Sequence, residues 1–233
     1  MAHNSRAEIA IVGGGMVGMT LAVATSSAGI ATTLIEAEAV HDMTEAKFDG
    51  RSSAIAYGSQ QVLAAIGAWK YLEAEASPIR EIRVSDGGWR QLLHSAHESP
   101  FFVHYSAQDL PASAVPRGGT AGEERPPFGW IVENRAIRRG LLQRLAECRG
   151  LTHIDSARVG DIAFHNGSAD LRLHDGRVIP ARLVAAADGR HSAVRRLSGI
   201  GFKEFGYNQT AIVCTVAHEH DHRGVAHENF LPA

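Results

Sequence analysis

The chain has 233 residues, 45% of them hydrophobic, which suffices to bury a core in one large domain or two small ones. Its 23 basic and 25 acidic residues leave a formal net charge of −2, and no basic run carries interleaved aromatics, so a nucleic-acid partner is excluded. Two cysteines, Cys148 and Cys214, have neither metal nor redox spacing and read as idle thiols in a reducing compartment, the cytoplasm by default.

From Ile9 to Ile35 the chain carries no charge, a length that would allow a membrane span. Gly13, Gly14, Gly15, Gly18 and Gly29, with hydroxyl residues from Thr20 to Thr33, interrupt it too often for that. A cleaved leader after Arg6 has no reason to be ordered as strand, glycine turn, helix and strand. That order is present here. Glu8–Val12 and Thr32–Glu36 read as short buried strands, and Val17, Leu21, Ala24 and Ala28 recur at helical spacing between them, with Gly29 placed to end the helix. Gly13, Gly15 and Gly18 then form G-x-G-x-x-G at the strand-to-helix turn. Gly13 permits the turn, Gly15 admits a diphosphate to the backbone, and Gly18 allows close helix–strand packing. Glu36 lies 18 residues beyond Gly18, where a carboxylate can accept hydrogen bonds from both ribose hydroxyls. Framed by both strands and the acid, the motif indicates dinucleotide binding; by itself it does not choose NAD or FAD.

The segment Asp49–Gly58 reads as a loop, followed by a helix capped by Ser59 with Val62, Ile66 and Trp69 on one face. Ile79–Tyr105 is strand-like and placed in a separate sheet, with a turn at Asp86-Gly87-Gly88. Ser106–Pro127, rich in proline and glycine, reads as a long surface loop. Asn134 is placed to cap an amphipathic helix carrying Ile137, Leu141, Leu142 and Leu145. A three-strand meander follows, its turns marked by Asn166-Gly167 and Asp175-Gly176. Its last strand ends in Ala185-Ala186-Ala187 and runs into Asp188-Gly189, predicted to face the same edge as the first glycine loop. Gln209–His220 is again strand-like. His218, His220, His222 and His227 could share a strand face and bind a transition metal, but solvated edge residues are the commoner reading, and no metal site is assigned. His94, His97, His104 and His165 read as surface residues.

The run from Asp188 to Arg195 resembles the GADGxxSxVR motif of flavin monooxygenases of the p-hydroxybenzoate hydroxylase type. Asp49–Trp69, Val132–Leu142 and the terminal His227–Ala233 look like the UbiH/UbiF/VisC group of ubiquinone-biosynthesis hydroxylases, so four motifs in order span nearly the whole chain. The resemblance implies an α/β protein: a Rossmann-like FAD-binding domain over 1–75 and 130–199, and an inserted β-rich substrate domain over 76–129 and 200–233. It implies FAD as cofactor, NAD(P)H as electron donor, molecular oxygen and a polyprenyl phenol as substrates, and contact with the inner membrane or a ubiquinone-biosynthesis enzyme complex. It gives the backbone of Met16 and Val17, with the three fingerprint glycines, to the diphosphate and Glu36 to the adenosine ribose. Arg51 would reach the flavin side, Asn134 would lie near the phosphates, the Val159 backbone would face adenine, and Asp188-Gly189 would meet a ribityl or ribose hydroxyl. An exposed loop arginine, a helix cap, an ordinary strand valine and a plain Asp-Gly turn are the competing readings of these four. No side chain is assigned as acid or base, since the cofactor carries the chemistry. Relatives continue to a GDAAH-type motif that this sequence does not contain, so the chain is expected to be incomplete at its C-terminus. A non-catalytic flavin-fold module and an NAD-dependent dehydrogenase are the two alternatives, the latter leaving Asp188 and the Arg51 loop without a role.

Overall fold

The computed structural model describes residues 7–41, 50–86, 102–111 and 125–230. Twelve strands and four α-helices are present among them. Contacts divide the chain into two compact units: Met1–Arg51, Leu63–Ala74 and Asn134–Cys214 in the first, and Ser52–Val62, Glu75–Glu133 and Thr215–Ala233 in the second.

The first unit is built on a six-stranded sheet. Its strands are β1 (Ala7–Val12), β2 (Thr32–Ile35), β8 (Leu151–Ile154), β9 (Val159–His165), β10 (Ser168–Leu173) and β11 (Val178–Ala186), arranged β8-β2-β1-β11-β10-β9. β8, β2, β1 and β11 run parallel, whereas β9 and β10 join antiparallel as the meander. A parallel strand covered on both faces needs an unbroken apolar run. Ile11, Leu34 and Ile35 supply it, each at most 1% exposed. The meander turns use glycine where the backbone is left-handed, Gly167 at φ 74° and Gly176 at φ 89°.

Helix α1 (Met16–Ser27) buries Gly18, Met19, Ala22, Val23 and Ser26. This corrects the expected face: Val17 is 73% exposed, and the buried stripe lies one to two positions further on. The helix is nearly uniformly apolar, so its periodicity cannot identify the side that packs. Gly29 ends it as expected, at φ 80° with its N–H on the Ser26 carbonyl. Helix α3 (Asn134–Ala146) packs on α1, and Arg144 joins them by donating to Ser27 Oγ at 2.9 Å and to the Ile66 carbonyl at 2.8 Å. β8 is an edge strand of four residues that the sequence reading passes over.

The second unit holds two three-stranded sheets. One is ordered β12-β5-β6, from Val225–Phe230, Glu81–Asp86 and Phe102–Ser106; the other is ordered β3-β7-β4, from Ser52–Ala56, Gly129–Glu133 and Ser77–Ile79. Ser52–Ala56 is therefore a strand rather than a loop, because β7 offers it a full antiparallel ladder. Helix α2 (Tyr57–Ala65) starts two residues before Ser59, which is internal rather than capping, and Val62 is 52% exposed. Trp69 belongs to a separate turn of 3-10 helix. Gln209–Ala217 is not a strand, although its β-branched residues favour one. Propensity alone does not make a strand. Gly87, Gly88, His94, His97 and the end of the terminal motif lie outside the described residues.

Candidate functional site

The parallel register places Val12 opposite Ala186, and the Ala187 N–H donates to the Val12 carbonyl at 2.7 Å. The Gly13–Gly15 turn and the Asp188-Gly189 corner, far apart in sequence, consequently leave the sheet at the same edge. A cleft of about 590 Å³ opens there, lined by Gly13, Gly15, Glu36, Val159, Asp188 and Gly189 among others.

The three fingerprint glycines do different work. Gly13 has φ 104°, and a Cβ on it would stand 2.4 Å from the Ala187 carbonyl oxygen. A Cβ on Gly18 would stand 1.8 Å from the Gly13 carbonyl oxygen. Both are required by the fold. Around Gly15 nothing lies within 4 Å of an added Cβ, so its missing side chain leaves space on the cleft rather than relieving protein packing. Hydrogen bonding inside α1 begins with Met19 N–H on the Gly15 carbonyl at 2.9 Å, and no side chain caps the start. The N–H groups of Met16, Val17 and Gly18 have no acceptor within the helix and present the positive end of its dipole.

Glu36 follows β2 directly. Its Oε2 accepts from Gly14 N–H and its Oε1 from Glu38 N–H at 2.8 Å. An ionised carboxylate has about four lone-pair sites, so each oxygen keeps one for an incoming hydroxyl. Gly14, outside the three-glycine pattern, thus holds the acid in position, and a Cβ there would lie 2.8 Å from Oε2.

Asp188 spends its carboxylate on its own corner. Oδ1 accepts from Ser192 Oγ at 2.5 Å, and Oδ2 accepts from the N–H groups of Ala193 at 2.6 Å and Val194 at 3.0 Å. It caps the short helix α4 (Ala193–Leu197), assisted by Ser192 Oγ accepting from Arg195 N–H at 3.0 Å. Three of its lone-pair sites are filled by protein, so its contribution to the cleft is the shape of the corner, with Gly189 at φ 79°.

Val159 packs its side chain into the core and faces the cleft as the first residue of β9. Met16, Val17, Gly18, Arg51 and Asn134 are not among the cleft-lining residues: the Asn134 N–H donates to the Arg51 carbonyl at 3.1 Å, and the α3 residue that reaches the cleft is Arg138, one turn further along. Arg158, Gly160, His174 and Arg196 also line it. The sequence reading singles out none of these five. The i, i+4 step from Asn134 to Arg138 is the one available signal, and guanidinium groups suit phosphate oxygens.

On β8, His153 has a buried Nε2 with no hydrogen-bond partner among the described residues. Burial pushes its imidazole below the usual range, against the opposing pull of the Asp155 and Glu36 carboxylates. In the second unit, His218 and His222 lie edge to face at 6.1 Å, and His222 Nδ1 accepts from Gly224 N–H at 3.0 Å. Among the described residues, no three His, Cys, Asp or Glu side chains group to hold a metal.

Among characterised relatives, the chain is 41% identical over 227 residues to ubiquinone hydroxylase UbiL of Rhodospirillum rubrum, covering 97% of this chain and 47% of that protein. It is 32% identical to the 3-demethoxyubiquinol 3-hydroxylase of Escherichia coli, covering 98% of this chain and 53% of that one. It therefore spans about half the length of the curated relatives it matches. Solved structures of flavin monooxygenases share the fold, two of them as follows. PqsL, a probable FAD-dependent monooxygenase from Pseudomonas aeruginosa, has TM-score 0.65 at 18% identity, covering 87% of this chain and 48% of its own. The p-nitrophenol 4-monooxygenase PnpA from Pseudomonas putida DLL-E4 has TM-score 0.63 at 17% identity, covering 83% and 44%. An open glycine at an uncapped helix start, an anchored carboxylate at the end of β2 and a neighbouring aspartate-capped corner suit an adenine dinucleotide. Since the FAD binding domain model matches residues 6–231, nearly the whole length, the chain belongs to the FAD binding domain family.

Proposed function

We propose that this chain forms the FAD-binding half of a flavin-dependent monooxygenase that hydroxylates a polyprenyl phenol in ubiquinone biosynthesis. The observation that carries the reading is the common edge at which the Gly13–Gly15 turn and the Asp188-Gly189 corner open onto one cleft with Glu36. In this reading the N–H groups of Met16 and Val17 bind the diphosphate, Arg138 and Arg196 neutralise it, and the free lone pairs of Glu36 accept the adenosine ribose hydroxyls. Asp188 acts by holding the corner rather than by contacting the sugar. The first compact unit serves as the FAD-binding domain, and the second as part of the substrate domain. Bound flavin would accept reducing equivalents from NAD(P)H and activate molecular oxygen for hydroxylation. The protein's share is to bind, orient and exclude water.

The names of the two relatives support a ubiquinone-pathway phenol as substrate. A long polyprenyl tail partitions into the bilayer, so the substrate itself draws the enzyme to the inner-membrane surface, alone or in a ubiquinone-biosynthesis complex. Among the described residues no helix is long and apolar enough to cross a membrane. The decisive experiment titrates the purified chain with FAD and then with NADH, following the flavin band at about 450 nm and flavin fluorescence. Saturable FAD binding is expected. Binding of NADH with no binding of FAD would overturn the proposal in favour of a dehydrogenase.

A further inference from the structure

We infer that His174 is the stacking wall of the adenine subsite and sets the cleft's preference for a purine, an inference that rests on the dinucleotide reading above. In any adenine dinucleotide the base lies on the far side of the ribose from the diphosphate. Glu36 marks the ribose, so the base belongs in the part of the cleft beyond it. That part is built from two backbone segments bonded to each other: Ala157 N–H donates to the Glu36 carbonyl at 2.8 Å, and Ser156 N–H to the Glu38 carbonyl at 3.2 Å. Ala37, Ala157 and Val159 give it small apolar surfaces.

His174 reaches this end through an irregularity in the meander. The register between β9 and β10 shifts at Arg172/Leu173, and beyond it the His174 N–H donates to the Arg158 carbonyl at 2.9 Å. A bulge of this kind re-aims the side chain that follows it. The imidazole consequently lies against Gly160: a Cβ on Gly160 would stand 2.5 Å from His174 Cδ2 and 2.9 Å from Nε2. Gly160 is not left-handed, so its missing side chain answers to the ring beside it rather than to backbone strain. The ring lines the cleft while remaining exposed, an arrangement that gives an aromatic face to a flat ligand and little to the core.

The test measures ADP binding to the purified chain by calorimetry, since ADP carries the base, ribose and diphosphate without the flavin. His174→Ala is expected to weaken ADP about tenfold with an unchanged melting temperature, and His174→Phe to stay within about threefold of wild type. Gly160→Ala displaces the ring and is expected to lose a similar factor; the same change made in the His174→Ala background should cost nothing further. Equal ADP affinity in wild type and His174→Ala overturns this inference alone. A wild-type chain that binds neither ADP nor FAD overturns the dinucleotide reading, and this inference with it.

Discussion

Gly15 and Gly18 belong to one sequence motif, but the structure separates what each contributes, and alanine at the two positions should fail in opposite ways. At Gly18 the new Cβ would lie 1.8 Å from the Gly13 carbonyl oxygen and 3.3 Å from Ala187 Cβ. A carbon meets an oxygen comfortably at about 3.3 Å, so the first turn of α1 must retreat by about 1.5 Å from a backbone atom that cannot rotate away. Such overpacking costs about 3 kcal/mol, against which the better helix propensity of alanine returns about 1 kcal/mol. The net loss of about 2 kcal/mol lowers the melting temperature by roughly 4–8 °C for a chain of this size. At Gly15, φ of −66° suits alanine and no atom lies within 4 Å. The cost there is that of a poorer helix cap, about 1 kcal/mol or less. The added methyl instead occupies the approach of the diphosphate, and FAD affinity should fall at least about tenfold, equivalent to about 1.4 kcal/mol. Circular dichroism melting and fluorescence titration with FAD measure the two quantities separately. A Gly15→Ala chain that binds FAD like wild type, or melts as low as Gly18→Ala, would refute the division of labour.

Three further outcomes follow from the site. Glu36→Gln removes the charge from the acceptor that faces Gly14 N–H and, as proposed, the ribose, and ADP affinity measured by calorimetry should drop about fivefold to tenfold with little change in melting; an unchanged affinity contradicts the proposed ribose role. Asp188→Ala removes the acceptor of three hydrogen bonds at the start of α4 and should destabilise the chain by about 1–2 kcal/mol in urea unfolding, with FAD affinity falling because the corner loosens; wild-type stability would show that the cap is dispensable. His153 is held below its ordinary value of 6.5, so the folded chain binds fewer protons than the unfolded one. Its contribution is fully present above about pH 6.5 and is lost as the pH falls below it toward the depressed folded value. Urea unfolding at several pH values should show that His153→Leu flattens the slope of stability below pH 6.5, by no more than about 1.4 kcal/mol per pH unit for one group, and an identical slope in both chains would refute the assignment.

What could be read from the sequence is what short-range chemistry determines. The strand, glycine turn, helix and strand from Ala7 to Ile35 all announce themselves within a few residues, and so do the meander turns at Gly167 and Gly176, where left-handed backbone demands glycine. The face of α1 could not be read, because a helix apolar on every side has no periodicity to choose one and α3 with the sheet decides. β3 and β8 were hidden for a related reason: each is four or five residues long and becomes a strand through its partner, β7 or β2, rather than through its own pattern. Within the site, Gly13, Gly15, Glu36 and the Asp188 corner were legible as motifs. Arg138, His174 and the role of Gly14 were not: His174 lies against Gly160 and Gly14 against Glu36, each distant in sequence, and Arg138 is marked only by its i, i+4 step from Asn134.

The same dependence on distant neighbours explains why the two motifs are composed of such small residues. β1 and β11 are adjacent parallel strands, so whatever follows Val12 must share space with whatever follows Ala186. Gly13 turns against the Ala187 carbonyl, Gly18 brings α1 down onto Gly13, and a Cβ at Gly18 would already touch the Ala187 methyl at 3.3 Å. The glycine fingerprint and the run Ala185-Ala186-Ala187 are therefore two sides of one contact. Enlarging either side moves α1 away from the strand ends, and with it the uncapped helix start beside Gly15, which lines the cleft. The shape of this edge is set by close packing of the smallest side chains together with the Asp188 carboxylate that holds the start of α4.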